Sequence, residues 1–91
     1  MLRITEKKHS ANKTVLFLEG KIFQEWVKEL ETEIEKGLKK GKKIVLDFSK
    51  VSYLDEEAVK RINQYPHQEV EKRNCSLFIR TMLGIEDQGD K

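Results

Sequence analysis

An α/β fold built on a mixed β-sheet is predicted, and three observations predict it. Ile44, Val45 and Leu46 form an apolar, partly β-branched run of strand length, with Phe48 two residues further on, which reads as a buried strand. Phe23, Trp26, Val27, Leu30, Ile34 and Leu38 recur at the spacing of one helical face, which marks a long amphipathic helix directly ahead of that strand. The elements follow in the order strand, strand, helix, strand, helix, strand (β-β-α-β-α-β). Two strand–helix–strand crossovers imply parallel pairing of the later strands.

The first two strands come from the amino-terminal stretch. Leu2 to Lys7 alternates apolar and polar residues around Leu2 and Ile4, Lys8 to Lys13 carries Ser10 and Asn12, and Val15 to Leu18 is continuously apolar. A short antiparallel hairpin is expected, with the more polar first strand at the sheet edge. His9 falls in or near the turn beside Lys7 and Lys8, with no partner for catalysis or metal binding at useful spacing. The amphipathic helix carries Glu25, Lys28, Glu29, Glu31, Glu35, Lys36 and Lys39 on its polar side, with Glu35 and Lys39 ordered as an i, i+4 pair. Gly37 weakens its last turn, Lys39 and Lys40 complement the negative end of the dipole, and Gly41 suits the C′ position, so the helix ends near Lys40. Trp26, on the apolar stripe, reads as core.

After the strand around Ile44, Ser49 to Tyr53 is turn-compatible and is expected to be a loop. Asp55 then precedes Glu56, Glu57 and the helix-period residues Ala58, Val59 and Ile62. An Asp at that position accepts from the free N–H groups of the first turn, and the two glutamates put negative charge at the positive end of the dipole. This second helix runs to about Tyr65, where Pro66 breaks it. Gln68 to Arg73 reads as one more helical piece around Val70, Asn74 as its stop, and Ser76 to Arg80 as the last strand. Residues 82–91 are expected to form a short tail, with Met82, Leu83 and Ile85 exposed and the rest too polar for a packed terminal helix.

A chain of 91 residues supports one modest core, so a single domain over 1–91 is expected, without a cleft between domains. Hydrophobic and charged residues stand at 37% each, the pattern of a small folded domain with a heavily charged surface. The formal net charge of +2 supplies no global drive toward nucleic acid or membranes. Lys39, Lys40, Lys42 and Lys43 form the one dense basic cluster. It could contact phosphates of nucleic acid or lipid, but no aromatic residue is interleaved to stack bases and acidic residues crowd the preceding helix, so a charged cap and loop is the stronger reading and no specific nucleic-acid partner is expected. The lone Cys75 allows no internal disulfide and no multi-cysteine metal site, which suits a reducing, cytoplasmic setting. Met1 to Lys8 has no apolar signal-peptide core, and no window approaches the roughly 20 apolar residues of a membrane span.

The stretch Val45 to Ile62 resembles the centre of a STAS domain, the fold of bacterial anti-sigma-factor antagonists. The family pattern is an apolar strand, Asp, a short loop, a hydrophobic residue, and Asp-Ser-Ser-Gly opening a helix; those last four positions are Asp55, Glu56, Glu57 and Ala58 here. Upstream, Leu18-Glu19-Gly20-Lys21-Ile22 followed by a long amphipathic helix is similar to the family's early L-x-G-x-φ element. The resemblance covers roughly residues 13 to 80 and implies a STAS-like mixed sheet with amphipathic helices packed on it, here with a shortened C-terminus. It also implies a partner-switching role in transcription regulation and signalling, in which a kinase modifies the second serine of the motif. Glu57 takes that position and offers no hydroxyl.

The expected function is therefore a non-catalytic regulatory interaction module, not an enzyme and without a cofactor. Its contact surface would comprise Ser52, Asp55, Glu56, Glu57, Ala58, Lys60 and Arg61. The implied partners are an anti-sigma-factor kinase, a STAS regulator or an identical chain in a homodimer. A soluble STAS subunit of a lipid-transporting ABC complex is the alternative within the fold. A small enzyme using Asp47, Asp55, Glu56 and Glu57 as acid/base groups or Mg²⁺ ligands is the alternative outside it. Helix capping already accounts for three of those four acids.

Overall fold

The computed structural model describes residues 2–85, except the side chains of residues 8 and 9. The expected tail residues 86–91 lie outside that range. A four-stranded sheet in the order β1-β2-β3-β4 comprises β1 (Leu2–Ser10), β2 (Lys13–Ile22), β3 (Lys43–Leu54) and β4 (Val70–Arg73). Three helices, α1 (Glu25–Lys39), α2 (Glu56–Asn63) and α3 (Leu77–Leu83), complete the described elements. β1 and β2 pair antiparallel with β1 at the edge, and β2–β3 and β3–β4 pair parallel, as the hairpin and the two crossovers require.

Successive crossovers of one hand between neighbouring strands place α1 and α2 on the same side of the sheet. Val27, Leu30 and Ile34 of α1, Ala58 and Ile62 of α2, and Ile79 and Leu83 of α3 join Leu16, Leu18, Ile44, Leu46, Phe48 and Leu54 in one buried cluster. Val15 and Val45 point to the other face and are buried as well. In register beside them stand Lys7 and Glu71, and the Lys7 ammonium lies 5.1 Å from the Phe17 ring centroid. Covered from both sides, the centre of β3 has to be apolar at consecutive positions. Trp26 packs partly buried against the core, in line with its place on the apolar stripe.

Glycine is required at two places. Gly20, the centre of the L-x-G-x-φ element, adopts φ 105 beside a register shift between β2 and β3, a conformation closed to other residues. Gly37 lies against Ile44: a Cβ there would collide with the Cδ1 methyl of this fully buried side chain, which would have to shift within the core. The residue that weakens the last turn of α1 is thus what lets the helix approach the sheet.

Three segments differ from the expectation. Ser49–Tyr53, expected as a loop, continues β3, with Lys50, Val51 and Tyr53 still in register with β2. Gln68–Arg73, expected as helical, supplies β4: Val70 pairs with Ile44 and is buried, and pairing to β3 overrides the helix preference of Glu71 and Lys72. Ser76–Arg80, expected as the last strand, opens α3 instead. The Ser76 hydroxyl caps it by accepting from Ile79 N–H at 3.2 Å, and Gly84 closes it at φ 74. The apolar run Leu77 to Ile79 resembled a strand, but the residues that are buried, Ile79 and Leu83, are four apart. Leu83, expected in an exposed tail, belongs to the core, Met82 and Ile85 pack partly buried against it, and the open apolar side chains of α3 are Leu77 and Phe78, 70% and 53% exposed.

Asp47 is buried at the end of the apolar run. One carboxylate oxygen accepts from Ser49 N–H at 2.9 Å and the other from the Asn74 side-chain amide at 2.9 Å. Asn74 carries φ 59 at the turn from β4 to α3, so Asp47 holds that turn against β3.

Candidate functional site

The site lies at the carboxyl end of β2 and β3, where α1 and α2 both begin. Asp55 joins the two starts. Its Oδ1 accepts from Ala58 N–H at 2.8 Å and caps α2, while Oδ2 accepts from Gln24 N–H at 3.0 Å ahead of α1. Gln24 is the N-cap of α1, has φ 52, and makes no side-chain cap bond of its own. One carboxylate therefore serves two helix ends, each carrying partial positive charge. Capping was legible from Asp55 followed by an apolar-periodic run; the link to Gln24, 31 residues away, had no local signal.

Beyond the cap, Glu56 and Glu57 are exposed on the first turn of α2. The Glu57 carboxylate accepts from Arg61 Nε at 2.7 Å, and Arg61 Nη1 reaches both carboxylate oxygens of Glu31 on α1 at 3.1 and 3.2 Å. Bonding first to Glu57 and then to Glu31 holds the guanidinium more firmly protonated than usual. Gln64 donates to Glu31 at 2.8 Å, and the Tyr65 hydroxyl donates to Glu35 at 2.8 Å. Burial, then the carboxylate of Glu35, pushes the Tyr65 phenol well above its ordinary value, so it stays a donor. The acids on the exposed side of α1 are thus the anchors that hold α2. A helical pattern shows which acids face away from the core but not which element they meet.

Ser52 is exposed on β3, its hydroxyl 3.4 Å from the Gly20 carbonyl oxygen. Lys60 is exposed, whereas Ala58 is fully buried and offers only the N–H that Asp55 takes. Lys21, Phe23, Ser52 and the 41%-exposed Tyr53 line a shallow cleft of about 470 Å³ just ahead of α2. No local signal pairs its two aromatic rings: Phe23 continues the apolar spacing of α1 in sequence but lies ahead of the helix, and Tyr53 belongs to β3. Among the described residues, no group of three or more His, Cys, Asp or Glu side chains is placed to hold a metal ion, and Asp47 stands apart from the three acids of α2.

A family model of the STAS domain matches residues 4–84. The chain belongs to the STAS domain family. A solved structure described as the anti-sigma factor antagonist SpoIIAA in its unphosphorylated form shares the STAS fold at TM-score 0.74. It is 14% identical, and the match covers 92% of this chain and 84% of that one. A search of curated protein sequences returned no match. Inside the matched range, α2 opens on the Asp55 clamp, the two exposed glutamates and the buried Ala58.

Replacing Asp55 by alanine is expected to lower stability by about 1–3 kcal/mol, the loss of an N-cap together with the clamp on Gln24. Asp55→Asn should recover part of that loss, because its single carbonyl oxygen can cap Ala58 but its amide cannot accept from Gln24 N–H. Urea denaturation of the three proteins checks this ordering; equal midpoints for Ala and wild type would remove the clamp from the account.

Proposed function

We propose that this STAS domain is a non-catalytic, regulatory protein-interaction module of the anti-sigma-factor antagonist type. Its contact surface is the start of α2, with Ser52, Glu56, Glu57, Lys60 and Arg61 at the surface and Asp55 holding the backbone beneath them. The observation that supports this reading is a rigidly capped helix start that presents two carboxylates and closes one of them onto Arg61. The resemblance places a phosphorylatable serine at position 57, and a phosphoserine carries roughly −1.5 to −2 charge. Glu57 carries a smaller charge, and Arg61 offsets it at 2.7 Å. Glu56 beside Glu57 is a second exposed carboxylate, so the α2 start stays net negative and presents a charge between those of the unmodified and the phosphorylated motif.

The test is affinity purification from the native cell with wild type and with Glu56→Lys/Glu57→Lys. A kinase-like anti-sigma factor or a second STAS regulator, recovered with wild type and lost with the variant, is expected. Recovery of an ATPase subunit of a transport complex would select the lipid-transport alternative, and equal recovery of the same partner by both proteins would exclude the α2 start as the contact. Incubation with such a kinase and ATP should leave the peptide containing Glu57 unmodified; phosphate on Ser49 or Ser52 would transfer the switch to a neighbouring hydroxyl.

With Leu83 buried, the exposed Leu77 and Phe78 are the apolar side chains of α3 that a homodimer contact would cover. Light scattering is expected to give a dimer at micromolar concentration for wild type and a monomer for Leu77→Ser/Phe78→Ser.

A further inference from the structure

At the end of β3 remote from α2, the fold gathers the basic residues that the interaction surface does not use. Lys13 at the start of β2 stands in register with Lys43 at the start of β3, and Lys43 N–H donates to the Asn12 carbonyl at 2.9 Å. That bond ties the β1–β2 turn to the α1–β3 turn, which carries Lys39, Lys40 and Lys42 around the open tip of Gly41. The α1–β3 turn is itself braced, with Lys42 N–H donating to the Gly37 carbonyl at 3.1 Å and Gly41 N–H to that of Leu38 at 2.9 Å. Lys36 and Lys43 pair with Glu33 and Glu71. Lys13, Lys39, Lys40 and Lys42 have no carboxylate partner among the described residues, and Glu6 and Glu69 are the remaining acids bordering this end.

We propose that this lysine-bearing end is a docking surface for an anionic lipid bilayer. The four lysines without a carboxylate partner come from two turns fixed to each other, so they form a preset platform. All four are ammonium point charges on flexible stems, suited to a plane of headgroup phosphates rather than to the planar, bidentate reading of one phosphate or base that a guanidinium gives. Arg61 is engaged at the other end with Glu57 and Glu31, and Arg73 is held by Glu71, the acid that also pairs with Lys43. No aromatic ring lines the cleft beside Lys40 and Lys42, so base stacking has no platform there. The opposite end of β3 carries Asp55, Glu56 and Glu57, so an anionic plane attracts one end and repels the other. Docked this way, the domain would leave the start of α2 facing away from the bilayer and open to a partner.

The test uses sedimentation with vesicles of phosphatidylcholine containing about one third phosphatidylglycerol, against pure phosphatidylcholine. Binding to the anionic vesicles is expected at about 0.01 M salt and loss of it near 1 M, where the screening length falls from roughly 30 to 3 Å. Lys39→Gln/Lys40→Gln/Lys42→Gln should reduce partitioning roughly a hundredfold, from about fivefold per lysine at an anionic surface, with an unchanged circular-dichroism melt. Lys21→Gln/Lys28→Gln/Lys50→Gln removes the same charge from other surfaces and should retain most of the binding. No sedimentation with anionic vesicles, equal sedimentation with neutral ones, or equal loss in both triple variants would overturn the proposal. So would tighter binding to a short DNA duplex than to the anionic vesicles at the same salt.

Discussion

Replacing Leu83 by serine is expected to destabilise the domain by about 3–5 kcal/mol, because a buried leucine truncated to a small residue leaves a cavity and the hydroxyl finds no assured partner there. Leu83 is only 4% exposed and closes the core where α3 meets α2; there the Asn63 side-chain amide donates to the Leu83 carbonyl at 2.9 Å. Leu77→Ser, six residues earlier on the same short helix, removes a side chain that is 70% exposed and should change the stability of the monomer, measured at a concentration below dimerisation, by no more than about 0.5 kcal/mol. Urea denaturation of the two variants beside wild type decides the matter. Equal midpoints for the pair would mean that α3 does not pack on Ile79 and Leu83 in solution.

Asp47→Ala should cost about 2–4 kcal/mol, since the Ser49 N–H and the Asn74 amide both lose a buried acceptor and the turn into α3 loses its tether. The same carboxylate predicts an acid dependence. Burial pushes its pKa up, but hydrogen bonds from Ser49 and Asn74 and the nearby Arg73 guanidinium outweigh burial and hold it below its ordinary 3.8. A depressed folded-state value means that the stabilisation is fully present above the ordinary value and is lost as pH falls through the lower one. Wild type should therefore lose stability below about pH 4, and part of that slope should be missing in Asp47→Asn, which has no proton to gain. Identical acid limbs for the two proteins would show that Asp47 is not the titrating tether.

Patterns that repeat along the chain made several features legible in the sequence. The apolar stripe of α1 specifies which side meets the sheet, since Val27, Leu30 and Ile34 are its buried residues. The continuous run at Ile44 to Leu46 specifies a central strand, and the cap at Asp55 follows from an acid standing directly before a helical period. Crossovers of one hand then leave little choice of topology, which is why the mixed sheet followed from element order. The short elements near the C-terminus carried no such periodicity. Val70 to Arg73 is a strand because Ile44 and Leu46 offer it an open edge, and Leu77 to Leu83 is a helix because the core accepts side chains four residues apart.

Asp55, Glu56 and Glu57 were visible as a charged helix start from the sequence alone, with the Ser52 and Arg61 positions beside them. Only the tertiary structure decided what those charges meet. Asp55 reaches Gln24 across 31 residues and Arg61 reaches Glu31 across 30, distances in sequence at which no local pattern operates, whereas the Glu57–Arg61 pair is a local i, i+4 contact. The same holds for the lysines: their density was a property of the chain, but bringing Lys13 level with Lys43 required the parallel register of β2 and β3. Periodicity reports which side of an element is buried, whereas contacts between polar groups on different elements are set by how the buried sides pack.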